Sequence, residues 1–347
     1  MAASGPAPAA IREEAARLVE RFRAKGAEPF ETGILQPAGP LLDLYGEDIR
    51  GRAFITSDPH RGETMLRPDF TVPLVRHHMA SGATPARYAY AGEVFRRQDD
   101  HPDRPSEYVQ AGFEVFDGAE VPARDAEVFL TLRDACGTGT ARIGDIGLLT
   151  AALAGLATSD RRRALLLRHA WRPLRFAALL RRYAADGDYT TPARTDAPEI
   201  GLRTSDDVAD RIAALEADDA TPPIPQGQAE ALLALVKQTG TADRALADLA
   251  SIARALPGIE ARLPVLEARL REIAQGADLA ALGFEATHAR SAMEYYDGFT
   301  FTVTAPGLAP LATGGRYDAL TRAVSGGAGI PAVGGVIRPA ALLEARG

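Results

Sequence analysis

The chain has 347 residues, a length that favours two structural units over one minimal core. Its formal net charge of −7 argues against a broad nucleic-acid surface, and its single cysteine, Cys136, excludes a disulfide framework or a cysteine metal cluster. The N-terminus lacks the apolar core of a signal peptide and no window reaches transmembrane length, so we expect a cytoplasmic protein.

The first segments predict a helix followed by short strands. An apolar stripe at helical spacing covers residues 11–25, and Gly26 follows as a stop. Pro37 cannot donate to a central ladder, so the next strand is expected at an edge. Residues 52–67 predict a hairpin around the turn SDPHRG.

The segment LRPDFTVPLVR, residues 66–76, predicts the start of a helix. Pro73 fits the first turn, where its missing N–H does no harm, and Thr71 is a candidate N-cap. Asp69 then lies just before the helix and near the sheet. For Asp69 and Thr71, helix capping and a role in a site remain equal alternatives.

Residues 88–116 predict two antiparallel strands joined by a charged loop. Strand alternation places two sets on one sheet face: Tyr88, Tyr90, Gly92, Val94 and Arg96 from the first strand, and Gln110, Gly112, Glu114 and Phe116 from the second. Ala111, Phe113 and Val115 point to the apolar side. Two interpretations stay open: a half-solvated sheet with a polar outer face, or the floor of a ligand site.

Residues 159–275 predict an all-helical block between two sheet-forming parts, so we divide the chain at 1–158, 159–275 and 276–347. Ser205 and Thr241 are its expected N-caps, and Gly240 and Gly276 its expected stops. Its strings of arginine predict either a basic docking face or, more commonly, a solvated helix face.

Aromatic and threonine side chains alternate after Tyr296, which predicts a further strand, and ATGGRYDAL predicts a strand, a Gly-Gly bend and a helix start. No metal-ligand spacing, nucleophile elbow or phosphate-binding loop is present. The residues alone therefore predict a mixed α+β protein with a polar cleft for a small zwitterion. Its cationic group would meet Asp69, Glu114 or Glu294, and its carboxylate Arg96 or Arg104.

Several segments, in order, resemble the catalytic core of class II histidyl-tRNA synthetase: LRPDFT, VFRRQ, QAGFEVFD, EYYDGFTF, TGGRYDAL and PAVGG. The resemblance implies an antiparallel sheet flanked by helices, with a helical insertion and a histidine pocket on the polar sheet face. The implied histidine-binding residues are Asp69, Thr71, Arg96, Arg104, Gln110, Glu114, Tyr295, Tyr296 and Arg316.

Departures from the synthetase pattern concentrate on the nucleotide side. The second motif keeps Arg96, but Gln98 replaces the acid that helps to grip ATP, and a neutral amide is a different acceptor. Ser291 occupies the position aligned with the catalytic arginine, since Arg290 is one residue too far from the tyrosine pair.

The third motif lacks its arginine: Ala341 occupies that position, and Arg338 lies three residues early. Losing one such charge stabiliser typically costs about 10²–10³-fold in rate, so several losses are expected to silence adenylation. The sequence stops soon after this motif, and we expect neither an anticodon-binding domain nor tRNA as a partner.

A synthetase-like core that keeps its amino-acid side resembles the regulatory subunits of ATP phosphoribosyltransferase. This resemblance implies a non-catalytic chain without a cofactor, self-association through the synthetase-like core, and a complex with a short catalytic subunit. That subunit condenses ATP with phosphoribosyl pyrophosphate, and histidine inhibits the complex. Two alternatives of other classes are a weak residual adenylating enzyme and a scaffold whose pocket is a relic.

Overall fold

The computed structural model describes residues 5–39, 51–98, 104–170, 172–184, 204–288 and 295–347. The helices are α1 (Pro8–Arg23), α2 (Thr71–Ser81), α3 (Val121–Cys136), α4 (Ile146–Ala154), α5 (Asp160–Arg168), α6 (Pro173–Ala184), α7 (Ser205–Asp219), α8 (Gln226–Lys237), α9 (Ala245–Ala253), α10 (Pro257–Glu260), α11 (Leu263–Ile273), α12 (Asp318–Ser325) and α13 (Pro339–Arg346). The strands are β1 (Glu28–Pro29), β2 (Leu35–Pro37), β3 (Ile55–Asp58), β4 (Gly62–Leu66), β5 (Ala86–Phe95), β6 (Glu107–Phe116), β7 (Thr140–Asp145), β8 (Thr239–Thr241), β9 (Gly283–Glu285), β10 (Phe299–Thr304), β11 (Ala312–Arg316) and β12 (Ala332–Ile337).

One large sheet organises the described residues. Its nine strands run in the order β1-β5-β6-β12-β11-β10-β7-β9-β8, and neighbours are antiparallel except for the pairs β1–β5 and β7–β9. A smaller sheet has the order β2-β4-β3. The predicted α+β class, an antiparallel sheet flanked by helices, is confirmed.

Local sequence signals predicted several elements well. Helix α1 is followed by Gly26 at φ +83°, a backbone conformation that favours glycine. Pro37 ends β2 at the edge of the small sheet, and strands β3 and β4 form the expected hairpin. Helix α3 follows β6 after a short loop and extends over Val121–Cys136.

Several local predictions were wrong. The N-cap of α7 is Thr204, one residue before the expected Ser205, and it forms a capping box with Asp207. Thr241 does not cap a helix and Gly240 does not end one, because Thr239–Thr241 pairs with Gly283–Glu285 at the end of the large sheet. The glycines of ATGGR lie within β11 rather than in a bend.

Strand β8 therefore lies inside the predicted helical block and is a part of the main sheet. Sheet pairing in this case overrides the capping preference of threonine, which acts only on its own neighbours. The division of the chain at residues 158/159 and 275/276 stays a prediction.

The large sheet separates two apolar clusters. One side carries Ala111, Phe113 and Val115 of β6, packed with α1, α3 and the helical block. The other side carries Tyr88, Tyr90 and Phe116 with residues from α2 and α12. In the described ranges, no helix combines the length and the apolar character that crossing a membrane requires.

Candidate functional site

Glu114 lies at the centre of the second cluster, on the face that strand alternation predicted. Its side chain is 1% exposed. One carboxylate oxygen, Oε1, accepts hydrogen bonds from Tyr90 Oη at 2.8 Å and Thr71 Oγ1 at 3.2 Å. The other, Oε2, accepts from Tyr317 Oη at 2.7 Å. Three hydroxyl groups therefore hold a carboxyl that burial alone would strongly disfavour in its charged form.

Two glycines make room for this arrangement. Tyr90 lies across Gly112, its cross-strand neighbour, so a Cβ at position 112 would overlap the tyrosine ring. Gly334 pairs with Glu114 on the other side, and a Cβ at that position would overlap the carboxylate. Tyr90 is held further by a stacked contact with Phe70 at a ring separation of 4.4 Å. The space that Gly112 leaves is thus filled by protein.

The environment of Glu114 changes its acidity. Burial raises the pKa of Glu114 to about 7, although the hydrogen bonds from Tyr317, Tyr90 and Thr71 favour the carboxylate and lower it. The negative charge of Asp69 adds to the increase. Near neutral pH the group can thus exist in both forms, and a bound cation would select the carboxylate.

This acidity leads to a prediction on stability. Between about pH 4.5 and pH 7 the folded protein retains a proton on Glu114 that the unfolded chain has released, so stability is lost as pH rises through this window. A displacement from 4.5 to about 7 corresponds to about 3 kcal/mol. We expect urea unfolding at pH 5 and pH 8 to show this loss for the wild type and not for Glu114→Gln. The exposed Glu107→Gln should follow the wild type, whereas parallel profiles for Glu114→Gln and wild type would contradict the assignment.

Asp69 and Arg96 form a buried ion pair next to Glu114. The distance between Asp69 Oδ2 and Arg96 Nη2 is 3.5 Å, and Arg96 Nε donates to the carbonyl of Pro68 at 2.6 Å. Asp69 Oδ1 accepts a long bond of 3.4 Å from the Val72 N–H, a weak form of the predicted capping. Thr71 does not cap α2, because its hydroxyl points to Glu114 instead.

Gln110 lies on the same face of β6, two pleats from Glu114 and opposite Gly92. Its side chain is 1% exposed, and its Oε1 atom has no hydrogen-bond partner in the described part of the chain. A buried amide oxygen without a donor is unfavourable by about 1–3 kcal/mol. It is therefore an acceptor available to the N–H group of a bound molecule.

Tyr295 and Tyr296 lie beside these polar groups. Their rings contact each other at 5.0 Å, and Tyr295 also contacts the ring of Tyr317 at 6.2 Å. Burial raises the pKa of both phenols, and the charge of Asp69 contributes in each case. Both hydroxyls hence stay protonated and can donate.

Residues before the tyrosine pair lie outside the described ranges. This applies to Glu294, the third candidate acid, and to the predictions on Arg290 and Ser291.

Arg104 lies in a different group of charges, around Tyr108 and Arg338. The Arg338 guanidinium lies 5.7 Å from the centre of the Tyr108 ring and donates to the carbonyl of Pro310. Burial lowers the pKa of Arg338, and the charges of Arg96 and Arg104 lower it further. Arg104 is half-buried, and like Arg96 it lies close enough to Arg338 for its charge to act on that guanidinium.

Arg316 is not brought to the Glu114 cluster. Its guanidinium donates to Asp125 Oδ1 at 2.9 and 2.7 Å and to Asp318 Oδ1 at 3.0 Å. Asp125 belongs to α3, which packs on the opposite side of the sheet. The neighbouring residue, Tyr317, contacts Glu114 in its place. The histidine-binding role expected for Arg316 therefore does not agree with this geometry.

Two site residues were missed by sequence reasoning, Tyr90 and Tyr317. Alternation had placed Tyr90 on the correct face, next to Gly112, and that signal was sufficient to find it. Tyr317 follows strand β11 and lies 203 positions from Glu114 in the sequence, so no local pattern joins the two. No group of three potential metal ligands occurs within the described ranges.

The sequence is similar to known proteins over most of its length. The family model described as histidyl-tRNA synthetase matches residues 4–342. The chain is 32% identical over 366 residues to an ATP phosphoribosyltransferase regulatory subunit of Rhizobium etli, with 93% of this chain and 95% of the relative covered. It belongs to the family of ATP phosphoribosyltransferase regulatory subunits. A second regulatory subunit of that name, from Brucella anthropi, is 32% identical over 345 residues, with 89% and 90% of the two chains covered.

Solved structures show that this chain shares the fold of histidyl-tRNA synthetase. A Bacillus halodurans structure, described as an ATP phosphoribosyltransferase regulatory subunit/histidyl-tRNA synthetase, superimposes with a TM-score of 0.71 at 20% identity, over 97% of this chain and 79% of that one. Histidyl-tRNA synthetase from Nostoc gives a TM-score of 0.64 at 17% identity, over 99% and 75%.

Proposed function

We propose that this chain is the non-catalytic regulatory subunit of an ATP phosphoribosyltransferase. In this proposal it binds a short catalytic subunit in the cytoplasm, and that subunit joins ATP and phosphoribosyl pyrophosphate to form phosphoribosyl-ATP in the first step of histidine biosynthesis. The chain is required for this activity and for its inhibition by histidine. The names of relatives that match over most of its length support the assignment.

The observation that carries the proposal is the closed polar cluster around Glu114. It offers carboxylates at Asp69 and Glu114 for ammonium and imidazole N–H groups, and the free Oε1 of Gln110 for a further donor. Arg96 and Arg104 supply positive charge for a carboxylate on one side. An amino acid with a basic ring matches this distribution of charge.

The nucleotide side gives the complementary support. Ala341 occupies the position of the synthetase arginine, and it is buried on the apolar face of α13. An adenylating enzyme needs charged groups directed at phosphate oxygens, and this position does not provide one. We also propose that tRNA is not a partner. The chain self-associates through its synthetase-like core in this proposal.

Reconstitution tests the proposal directly. The short catalytic subunit of the same organism is purified with and without this chain, and phosphoribosyl-ATP formation is followed with increasing histidine. We expect this chain to increase the activity, and we expect histidine to inhibit only the complex. Absence of activation would overturn the regulatory role. Histidine-dependent pyrophosphate exchange by this chain alone would instead indicate an enzyme, and histidine without any effect would indicate a relic pocket.

A further inference from the structure

Two groups of arginines lie on α5, at the start of α6 and between these two helices. The first group bonds within the protein: Arg161 donates to the carbonyl of Ala214, Arg162 pairs with Asp218 at 2.9 Å, and Arg163 pairs with Asp160 at 2.6 Å. The second group comprises Arg168, Arg172 and Arg175, all exposed and, within the described ranges, without an acidic partner. We name this second group, with Leu167 and Leu174, the arginine corner.

The arginine corner concentrates positive charge at the start of α6. Arg172 precedes α6 and Arg175 lies in its first turn, at the positive end of the helix dipole, and no acidic residue occupies that turn. The pKa of His169 lies below its ordinary value, because it is partly desolvated and because Arg175, Arg172 and Arg168 repel its charged form. Three guanidinium groups thus lie near one position, and no acidic side chain of the described residues pairs with them.

Two exposed apolar side chains adjoin these arginines in the sequence. Leu174, between Arg172 and Arg175 in the sequence, is 90% exposed, and Leu167 is 40% exposed. The phosphates of a nucleic acid would neutralise the arginines but would leave both leucines in water. A protein surface with carboxylates around an apolar pocket would cover both kinds of group. The mixed character therefore favours a protein partner.

We propose that the arginine corner is a docking surface for the catalytic phosphoribosyltransferase subunit, which contributes acidic side chains around a pocket for Leu174. This inference rests on the proposed function and deepens it by assigning a contact surface. The solvated helix face considered from the sequence accounts for the charge of these arginines and leaves Leu174 in water, whereas a docked protein would cover it.

Matched charge reversals test the docking surface in the full complex. The variant Arg172→Glu/Arg175→Glu is compared with Arg12→Glu/Arg254→Glu, which changes the net charge equally at exposed arginines of α1 and at the end of α9. Leu174→Ala tests the apolar contact without a charge change. Affinity for the catalytic subunit and activation are measured for each, after circular dichroism and thermal melts confirm folding.

We expect the corner reversal to weaken complex formation about 100-fold. Leu174→Ala should weaken it about 10-fold, and the control reversal less than 3-fold. Equal affinities for the corner and control variants would overturn the docking surface, even if wild type activates and the proposed function stands. If the wild type neither binds nor activates the catalytic subunit, the proposed function itself is contradicted. In a parallel titration with RNA, binding by the wild type that the corner reversal abolishes, together with unchanged activation, would overturn the protein partner in favour of a nucleic acid.

Discussion

Replacing Glu114 by glutamine is expected to weaken histidine binding about 100-fold. The change keeps the shape of the side chain but removes a buried charge from the Tyr90–Glu114–Tyr317 arrangement. A cationic ligand group left without its buried counterion costs about 3 kcal/mol or more, which corresponds to two orders of magnitude in affinity. Isothermal titration of the purified chain with histidine at pH 8 measures the effect.

The matched control is Glu107→Gln, the same chemical change on the same strand at an exposed position. It should bind histidine like the wild type. The wild-type affinity should also decrease below about pH 7, because a ligand cation must then displace the proton that burial retains on Glu114. Equal affinity of wild type and Glu114→Gln would remove Glu114 from the site.

Strand alternation explains how much of this site was predictable. The side-chain period of a strand is two residues, so the sequence of β6 alone separates Gln110, Gly112 and Glu114 from Phe113 and Val115. The structure then adds what alternation cannot specify. The polar face is buried rather than half-solvated, since Gln110 and Glu114 are each 1% exposed.

The errors at Thr71 and Arg316 have a common physical cause, which is tertiary contact. Thr71 has the chemistry of an N-cap, but its hydroxyl bonds a carboxylate 43 positions away. Arg316 and Tyr317 are neighbours in sequence, yet they contact Asp125 and Glu114 on opposite sides of the sheet. A sequence motif identifies such a segment without specifying which of its side chains enters the site.

Asp125 holds the second group of buried charges, which joins the sheet to the helical block. Its side chain has no exposed area and pairs with Arg316 on one oxygen and with Arg269 of α11 at 2.7 Å on the other. Arg269 also forms an ion pair at 2.8 Å with Asp145, which lies at the end of β7. The pKa of Arg269 lies above its ordinary value: burial lowers it, but the charges of Asp125 and Asp145 raise it more.

Substituting Asp125 by alanine is therefore expected to lower the free energy of unfolding by about 3–5 kcal/mol, because Arg269 and Arg316 then share too few buried carboxylates. Asp134→Ala, at an exposed position of the same helix, should change it by less than about 0.5 kcal/mol. Urea unfolding of the two variants and wild type measures the difference, and equal losses of unfolding free energy in both variants would contradict a structural role for the ion pairs of Asp125.

Since Arg316 adjoins Tyr317, the loss of its Asp125 partner should also loosen the tyrosine that holds Glu114, so histidine affinity should fall in Asp125→Ala under conditions where the variant remains folded.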